Sequence, residues 1–222
     1  MTITIYSENM LPTDSTEYEL LTEAAEMAAG IVGMGCEIGL RRGGGSRMIM
    51  DSFIKKGEFK THVMVDPWGD IEYLTTEKNQ TRLYTDYTNE MRAQCLQELF
   101  TYYDGKKPVN PIVFNMEDSE FFTRFYDYVP TYFNKGKVRE THYCIAHLDG
   151  PHDSTVVIEE AEFFADRMHV GAMLVCDDTN LYDHVRAEKR ILELGFEVYK
   201  RGQRKAVYRK AAEPPEKIFA LL

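Results

Sequence analysis

Cysteine is scarce in this chain of 222 residues: Cys36, Cys95, Cys144 and Cys176, none in a C-x-x-C pair. That excludes a disulfide scaffold and disfavours a structural zinc site. Four reduced, mostly buried thiols of a cytoplasmic protein are expected instead. No apolar stretch approaches the length needed to span a bilayer. The opening residues, MTITIYSENM, lack a basic segment followed by an apolar run, so no signal peptide is expected. Positive charge is in deficit, with 26 Lys and Arg against 36 Asp and Glu and a formal charge of −10. Broad binding to nucleic acid or to an anionic membrane is therefore disfavoured. Repeats and low-complexity tracts are absent, and tryptophan occurs once, at Trp68.

What is present is globular. Hydrophobic residues are 44% and charged residues 28%. A single globule of this size hides roughly 70% of its unfolded surface, enough for a core without staples. Helix and strand patterns alternate along the chain, which predicts an α/β fold. Helices are expected over 15–29 with a Ser15/Thr16 cap, and over 46–56 up to Gly57. Further helices are expected over 89–104 with an Asn89 cap and a Gly105 stop, and over 118–127, 153–168 and 181–194. Buried strands are expected over 31–40, 61–66, 111–116, 141–149 and 170–178. A closing hairpin, FEVYKR-GQR-KAVYRK, follows. Residues 67–88 read as polar, Tyr-rich loop with a short helix. A tail carries Pro214 and Pro215.

Ligands of open parallel sheets sit beyond the carboxyl ends of the strands, and here every predicted parallel strand finishes on an acid. The first loop, EIGLRRGGGS from Glu37 to Ser46, lets backbone approach a ligand and opens a helix N-terminus. Its spacing is not G-x-G-x-x-G, and no Lys-Ser/Thr follows to grip phosphate. A nucleoside without phosphates is favoured over a dinucleotide, although a plain strand-to-helix turn also accounts for the glycines. Asp66 ends the second strand, where it can accept from both ribose hydroxyls. Trp68 follows Pro67 and can cover an adenine face; the alternative is a turn aspartate and a core tryptophan. Glu117, Asp118 and Ser119 follow the third strand, where an adenine amino group needs an acceptor.

The sharpest segment is HLDGPHD, with Asp149 and His152 on one turn; LVCDD then puts Asp177 and Asp178 at the next strand end. Three carboxylates in one crevice repel unless a cation neutralises them. Oxygen ligands select Mg²⁺ or another hard divalent ion, and His152 is the candidate general base. The alternative is that Asp149 and Asp177 cap helices and His152 is exposed.

With EIGLRRGGGS, VMVDPWG, HLDGPHD and GAMLVCDD in this order, residues 31–210 resemble class I S-adenosylmethionine-dependent methyltransferases. They look most like the metal-dependent sugar O-methyltransferases of macrolide biosynthesis and the cephalosporin-pathway methyltransferase group. The resemblance implies a Rossmann-like, mostly parallel seven-stranded sheet with helices on both faces and a C-terminal antiparallel hairpin. It implies S-adenosylmethionine and Mg²⁺ as cofactors and O-methylation of a sugar-like or vicinal-diol small molecule. By it, Glu37, Gly39, Arg42, Gly43, Gly44 and Ser46 would line the methionine end of the cofactor. Asp66, Pro67 and Trp68 would serve the ribose side, and Glu117, Asp118 and Ser119 the adenine. Asp149, Asp177 and Asp178 would bind the metal, with His152 and Asp149 catalytic. An N-terminal helical segment over 1–30, a variable insert at about 70–110 and a tail over 211–222 complete the expected organisation; homo-oligomerisation is expected from relatives.

The chain departs from those relatives in two places. Where they carry a Ser two residues after the Gly matching Gly43, Gly45 stands here and Ser46 follows; the acidic pair is Asp-Asp where close relatives have Glu-Asp. Other readings therefore stay open: a degenerate methyltransferase-like binding or assembly module, and a nicotinamide-dependent oxidoreductase. His147 shares a strand face with Asp149 and is either a partner behind the site or a satisfied core histidine. The central tyrosines build either an acceptor pocket or a core stripe.

Overall fold

A computed structural model describes residues 15–70, 72–77, 80–85, 87–103, 109–133 and 136–212. Gly105, Pro214 and Pro215 lie outside the described residues, as does most of the tail. In chain order the elements begin with α1 (Tyr18–Ala28), β1 (Met34–Ile38), α2 (Gly44–Lys56) and β2 (Lys60–Val65). A hairpin, β3 (Tyr73–Glu77) and β4 (Gln80–Tyr84), precedes α3 (Asn89–Tyr103), β5 (Val109–Phe114) and α4 (Asp118–Arg124). A second hairpin, β6 (Val129–Phe133) and β7 (Gly136–Glu140), precedes β8 (Tyr143–Leu148) and α5 (Ser154–Ala165). The chain continues with β9 (Met173–Cys176), α6 (His184–Glu193), β10 (Phe196–Arg201) and β11 (Ala206–Lys210).

The seven-stranded sheet has the order β10-β11-β9-β8-β1-β2-β5. β5, β2, β1, β8 and β9 run parallel, and β11 joins β9 antiparallel before β10 closes the hairpin. This is the α/β, Rossmann-like architecture with a C-terminal antiparallel pair. Apolar residues cover both faces, as a fully buried parallel sheet requires. Cys36, Ile38, Val63, Val65, Ala146, Leu148 and Leu174 pack under α4, α5 and α6. Met64, Ile145, Met173, Val175 and Val207 pack under α1, α2 and α3. Pro111 is tolerated in β5 because that strand lies at the sheet edge. The cysteines are free and buried. No helix among the described residues is long and apolar enough to cross a membrane.

Register places the chemistry. Ile38 pairs with Val65 on one side and Leu148 on the other, and Leu148 pairs with Cys176. The residues that follow, Gly39, Asp66, Asp149 and Asp177, therefore leave the sheet at one level. Strand order reverses between β1 and β8, so this level is a topological switch point.

Three local expectations are corrected. Residues 67–88 hold the β3–β4 hairpin rather than loop and short helix, and the Thr-rich runs Tyr73–Glu77 and Gln80–Tyr84 pair with each other outside the main sheet. Ser15 and Thr16 do not cap α1: the cap position is Glu17, in a left-handed conformation at φ 60° with its carboxylate directed elsewhere. Asn89 does not cap α3, because the Thr88 hydroxyl accepts from the amide of Met91 and Asn89 bonds Asp70 instead.

Candidate functional site

A cavity of about 440 Å³ opens above the switch point, a size suited to a small-molecule ligand. Its wall includes Glu37, Gly39, Arg42, Gly44, Asp66 and Pro67 on the β1–β2 side, Glu117 and Asp118 after β5, and Asp149, His152 and Asp178 on the β8–β9 side. Most of the residues singled out in the sequence therefore share one space.

The first loop is shaped by close approach. Gly39 has φ +83°, and a Cβ there would lie 2.1 Å from the carbonyl oxygen of Asp149. The ends of β1 and β8 can be this near only with glycine. At Gly45 a Cβ would lie 2.0 Å from Glu37 Oε1 and 2.8 Å from His147 Nδ1, so a side chain there would push into both. The serine stands one residue later, at 0% exposure, and donates to Glu37 Oε2. Ser46 thus faces a buried polar chain rather than the cavity. That chain runs from His62 Nε2, 2.8 Å from the Ser46 hydroxyl, through Glu37 to His147 Nδ1, 2.8 Å from Glu37 Oε1. Burial pushes His62 down to about 3, helped by the charge of His147. Burial also opposes charge on His147, yet the Asp177 carboxylate 3.7 Å from Nε2 and the hydrogen-bonded Glu37 prevail and hold it up at about 9. His147 is therefore both a core histidine and a partner of the site.

Asp66 is set by its own neighbours. The amide of Arg41 donates to Oδ2 at 2.8 Å and the amide of Trp68 to Oδ1 at 3.0 Å. Burial raises its carboxyl to about 6 against the pull of those amides. Each oxygen keeps a lone pair for a further donor. Trp68 does not cover the cavity: it is 1% exposed in the core under α2 and α3, and its indole donates to the Arg41 carbonyl at 3.1 Å. It braces the loop that holds Asp66. Gly43 turns the chain at φ +79° toward Leu99 and Cys95 without entering the wall. Ser119 is exposed, outside the wall, with its amide held by Asp118 Oδ1 at 2.7 Å.

On the other side, Asp149, His152 and Asp178 offer ligand atoms within 4.8 Å of one another. His152 Nε2 lies 3.3 Å from Asp178 Oδ2. Burial raises the Asp149 carboxyl well above its ordinary range, and the nearby charge of Asp177 adds to it. A cation placed there would offset that penalty and favour the ionised carboxylate. The donor set therefore fits a divalent ion through Asp149 and Asp178, with His152 alongside.

Asp177 does not join them. Its side chain is 1% exposed and its Oδ2 is paired with Lys205, itself fully buried. Ser15 also donates to Oδ2 at 2.6 Å, and the amide of Asp178 donates to Oδ1 at 2.7 Å. Burial opposes the charge, but His147 and Lys205 together hold the carboxyl below the usual carboxylate range. The expected three-carboxylate ligand set is thus two carboxylates and an ion pair. The helix caps belong to Asp153 and Asp183, not to Asp149 or Asp177.

Sequence reasoning missed Ser15, Tyr18, Leu181 and Arg204 as lining residues; Tyr87, one of the central tyrosines read as an acceptor pocket or a core stripe, lines the cavity as well. Arg204 pairs with Asp178 from the β10–β11 turn. The basic run in GQRK was the available signal, but nothing local ties it to residues 177 and 178.

No protein-family model matches the chain, and no curated protein matches it. Solved structures do share its fold. The O-methyltransferase TomG from Streptomyces achromogenes, involved in tomaymycin synthesis and solved in complex with SAM, matches with a TM-score of 0.54 at 12% identity, over 91% of this chain and 82% of that chain. Cofactor-bound Rv0187 from MTB matches at 0.52 and 14% identity, over 90% and 83%. An O-methyltransferase family protein from Burkholderia thailandensis matches at 0.51 and 10% identity, over 90% of this chain and 56% of that larger one.

Proposed function

We propose that the chain is an S-adenosylmethionine-dependent O-methyltransferase of a small sugar-like or vicinal-diol acceptor, with a hard divalent cation held by Asp149 and Asp178. The observation that carries this reading is the meeting of Asp66, Asp149, His152 and Asp178 in one cavity at the switch point. The likeness to TomG and its bound SAM supports it by analogy of fold.

The cofactor supplies an electrophilic methyl group when bound, and the cation lowers the pKa of a coordinated hydroxyl. The residues do the rest. Asp66 accepts from the ribose hydroxyls, using the lone pairs its two amides leave open. Asp118 and Glu117 would face the adenine, and Arg42 with the glycine turn the methionine end; all of them line the cavity. Asp149 and Asp178 would hold the cation, whose charge would favour the ionised form of an acceptor hydroxyl beside it. His152 Nε2, 3.3 Å from Asp178 Oδ2, takes the proton of the attacking hydroxyl. With the cofactor bound, the acceptor oxygen would form its bond to the methyl carbon as the methyl–sulfur bond breaks, and the neutral thioether would be the leaving group.

Titration with S-adenosylhomocysteine tests the cofactor half of this reading, and a methyl-transfer screen over vicinal diols with and without EDTA tests the rest. Binding followed by EDTA-sensitive transfer is expected. One observation favours a second reading, a cofactor-binding module without turnover: Ser46 is drawn into the buried chain and away from the cavity. Transfer to any acceptor in the screen eliminates it.

A further inference from the structure

The proposed cation site, on which this inference rests, sits beside two cations the chain already carries. Asp177 and Asp178 are consecutive, and each is met by one of two consecutive residues of the β10–β11 turn. Lys205 turns inward: it is fully buried, its ammonium bonds Asp177 Oδ2 and the Ser15 hydroxyl, and it lies 5.3 Å from the Tyr18 ring centroid. Arg204 turns outward into the cavity with its side chain 29% exposed, and its Nε lies 2.6 Å from Asp178 Oδ1. The turn itself is fixed. The amides of Gln203, Arg204 and Lys205 all donate to the Glu17 carboxylate, at 2.7, 2.9 and 3.0 Å. The amide and hydroxyl of Thr179 bond the Arg204 carbonyl at 2.8 and 3.0 Å. The backbone of residues 203–205 is therefore held against the strand end, while the guanidinium reaches into the cavity.

We infer that the β10–β11 turn supplies the counter-cations of the acid pair: Lys205 withdraws Asp177 from the ligand set, and Arg204 competes with a divalent cation for Asp178. The physical basis is charge balance. Buried carboxylates need a positive partner, and a buried ammonium needs a negative one. The Lys205–Asp177 pair is buried, at 0% and 2% exposure. The Arg204–Asp178 pair faces the cavity, so an arriving cation displaces the guanidinium from one carboxylate oxygen. The site is then a two-carboxylate site whose affinity is set by how easily Arg204 leaves.

Mn²⁺ titration of the full chain, with free Mn²⁺ followed by electron paramagnetic resonance, tests this. Arg204→Gln should tighten Mn²⁺ binding by about fivefold, the size expected for removing a partly exposed competing ion pair. Arg204→Lys should restore much of the wild-type affinity. Asp177→Asn alone strands a buried lysine, so the double exchange Asp177→Asn with Lys205→Met is used, and it should stay within about twofold of wild type. Asp149→Asn and Asp178→Asn should each lose binding. Unchanged or weaker binding in Arg204→Gln, loss in the double variant equal to that in Asp149→Asn, or no Mn²⁺ binding in any variant overturns the inference. S-adenosylhomocysteine binding by the wild type is measured separately. Its absence, with Arg204→Gln still tightening Mn²⁺, removes the methyltransferase reading and leaves the counter-cations standing.

Discussion

The two halves of the cavity are organised by different parts of the chain. At the β1–β2 end, Asp66 takes its hydrogen bonds from Arg41 and Trp68, one loop away and two residues away. At the β8–β9 end, Asp177 and Asp178 are fixed by Lys205, Arg204 and Ser15, between 26 and 162 positions distant. One end is a preset acceptor built by backbone amides. The other is a balance of side-chain charges that a ligand can redistribute. The first should resist substitution of distant residues, and the second should not.

The largest expected effect divides the ends by chemistry. His152→Ala should lower turnover on the order of 10² to 10⁴, the usual contribution of a general base, and leave S-adenosylhomocysteine affinity nearly intact. Parallel kinetics and calorimetry check it, and an equal loss in both readouts would place His152 in binding rather than in proton transfer. Next is stability. Asp177→Ala should cost about 3–5 kcal/mol in urea unfolding, because it leaves the Lys205 ammonium buried and unpaired. A surface-sized loss would mean that the pair is not closed. Third, Asp66→Ala should weaken S-adenosylhomocysteine by about 2–3 kcal/mol, a loss of roughly 30- to 150-fold, for bonds to a charged acceptor. It should leave Mn²⁺ binding unchanged.

The order of these effects follows from what the sequence displays. Strand ends, their acids and the glycine turn were legible because period, punctuation and register are local: Glu37, Asp66, Asp149 and Asp178 all reach the cavity. Trp68 was misread because aromatic size suits a base face and a core position equally, and only the packing of α2 and α3 decides between them. Asp177 was misread because its neighbour in sequence is an acid while its neighbour in space is a lysine from the hairpin. Ser46 points into a buried chain of polar groups that becomes visible only when β1, β2 and β8 lie side by side. The β3–β4 hairpin was read as loop because its strands pair only with each other and bear no continuous apolar run.

The smallest expected effect is a pH dependence of cofactor binding at the preset end. Burial holds the Asp66 carboxyl at about 6, above its ordinary value. In the empty protein that raised value stabilises the fold as pH falls from about 6 toward the ordinary carboxylate range. Ribose hydroxyls favour the ionised acceptor, so S-adenosylhomocysteine affinity should fall as pH drops through 6, by up to about tenfold per unit below it. Asp66→Asn should flatten that profile, and a wild-type profile already flat from pH 7.5 to 5 would remove Asp66 from the ribose.

The central claim is that this cavity receives the nucleoside of S-adenosylmethionine on Asp66. Isothermal titration of the full chain with S-adenosylhomocysteine tests it most directly. The account predicts saturable one-to-one binding that Asp66→Ala removes or weakens by the margin above. No heat with S-adenosylhomocysteine, alongside binding of NAD, would contradict it.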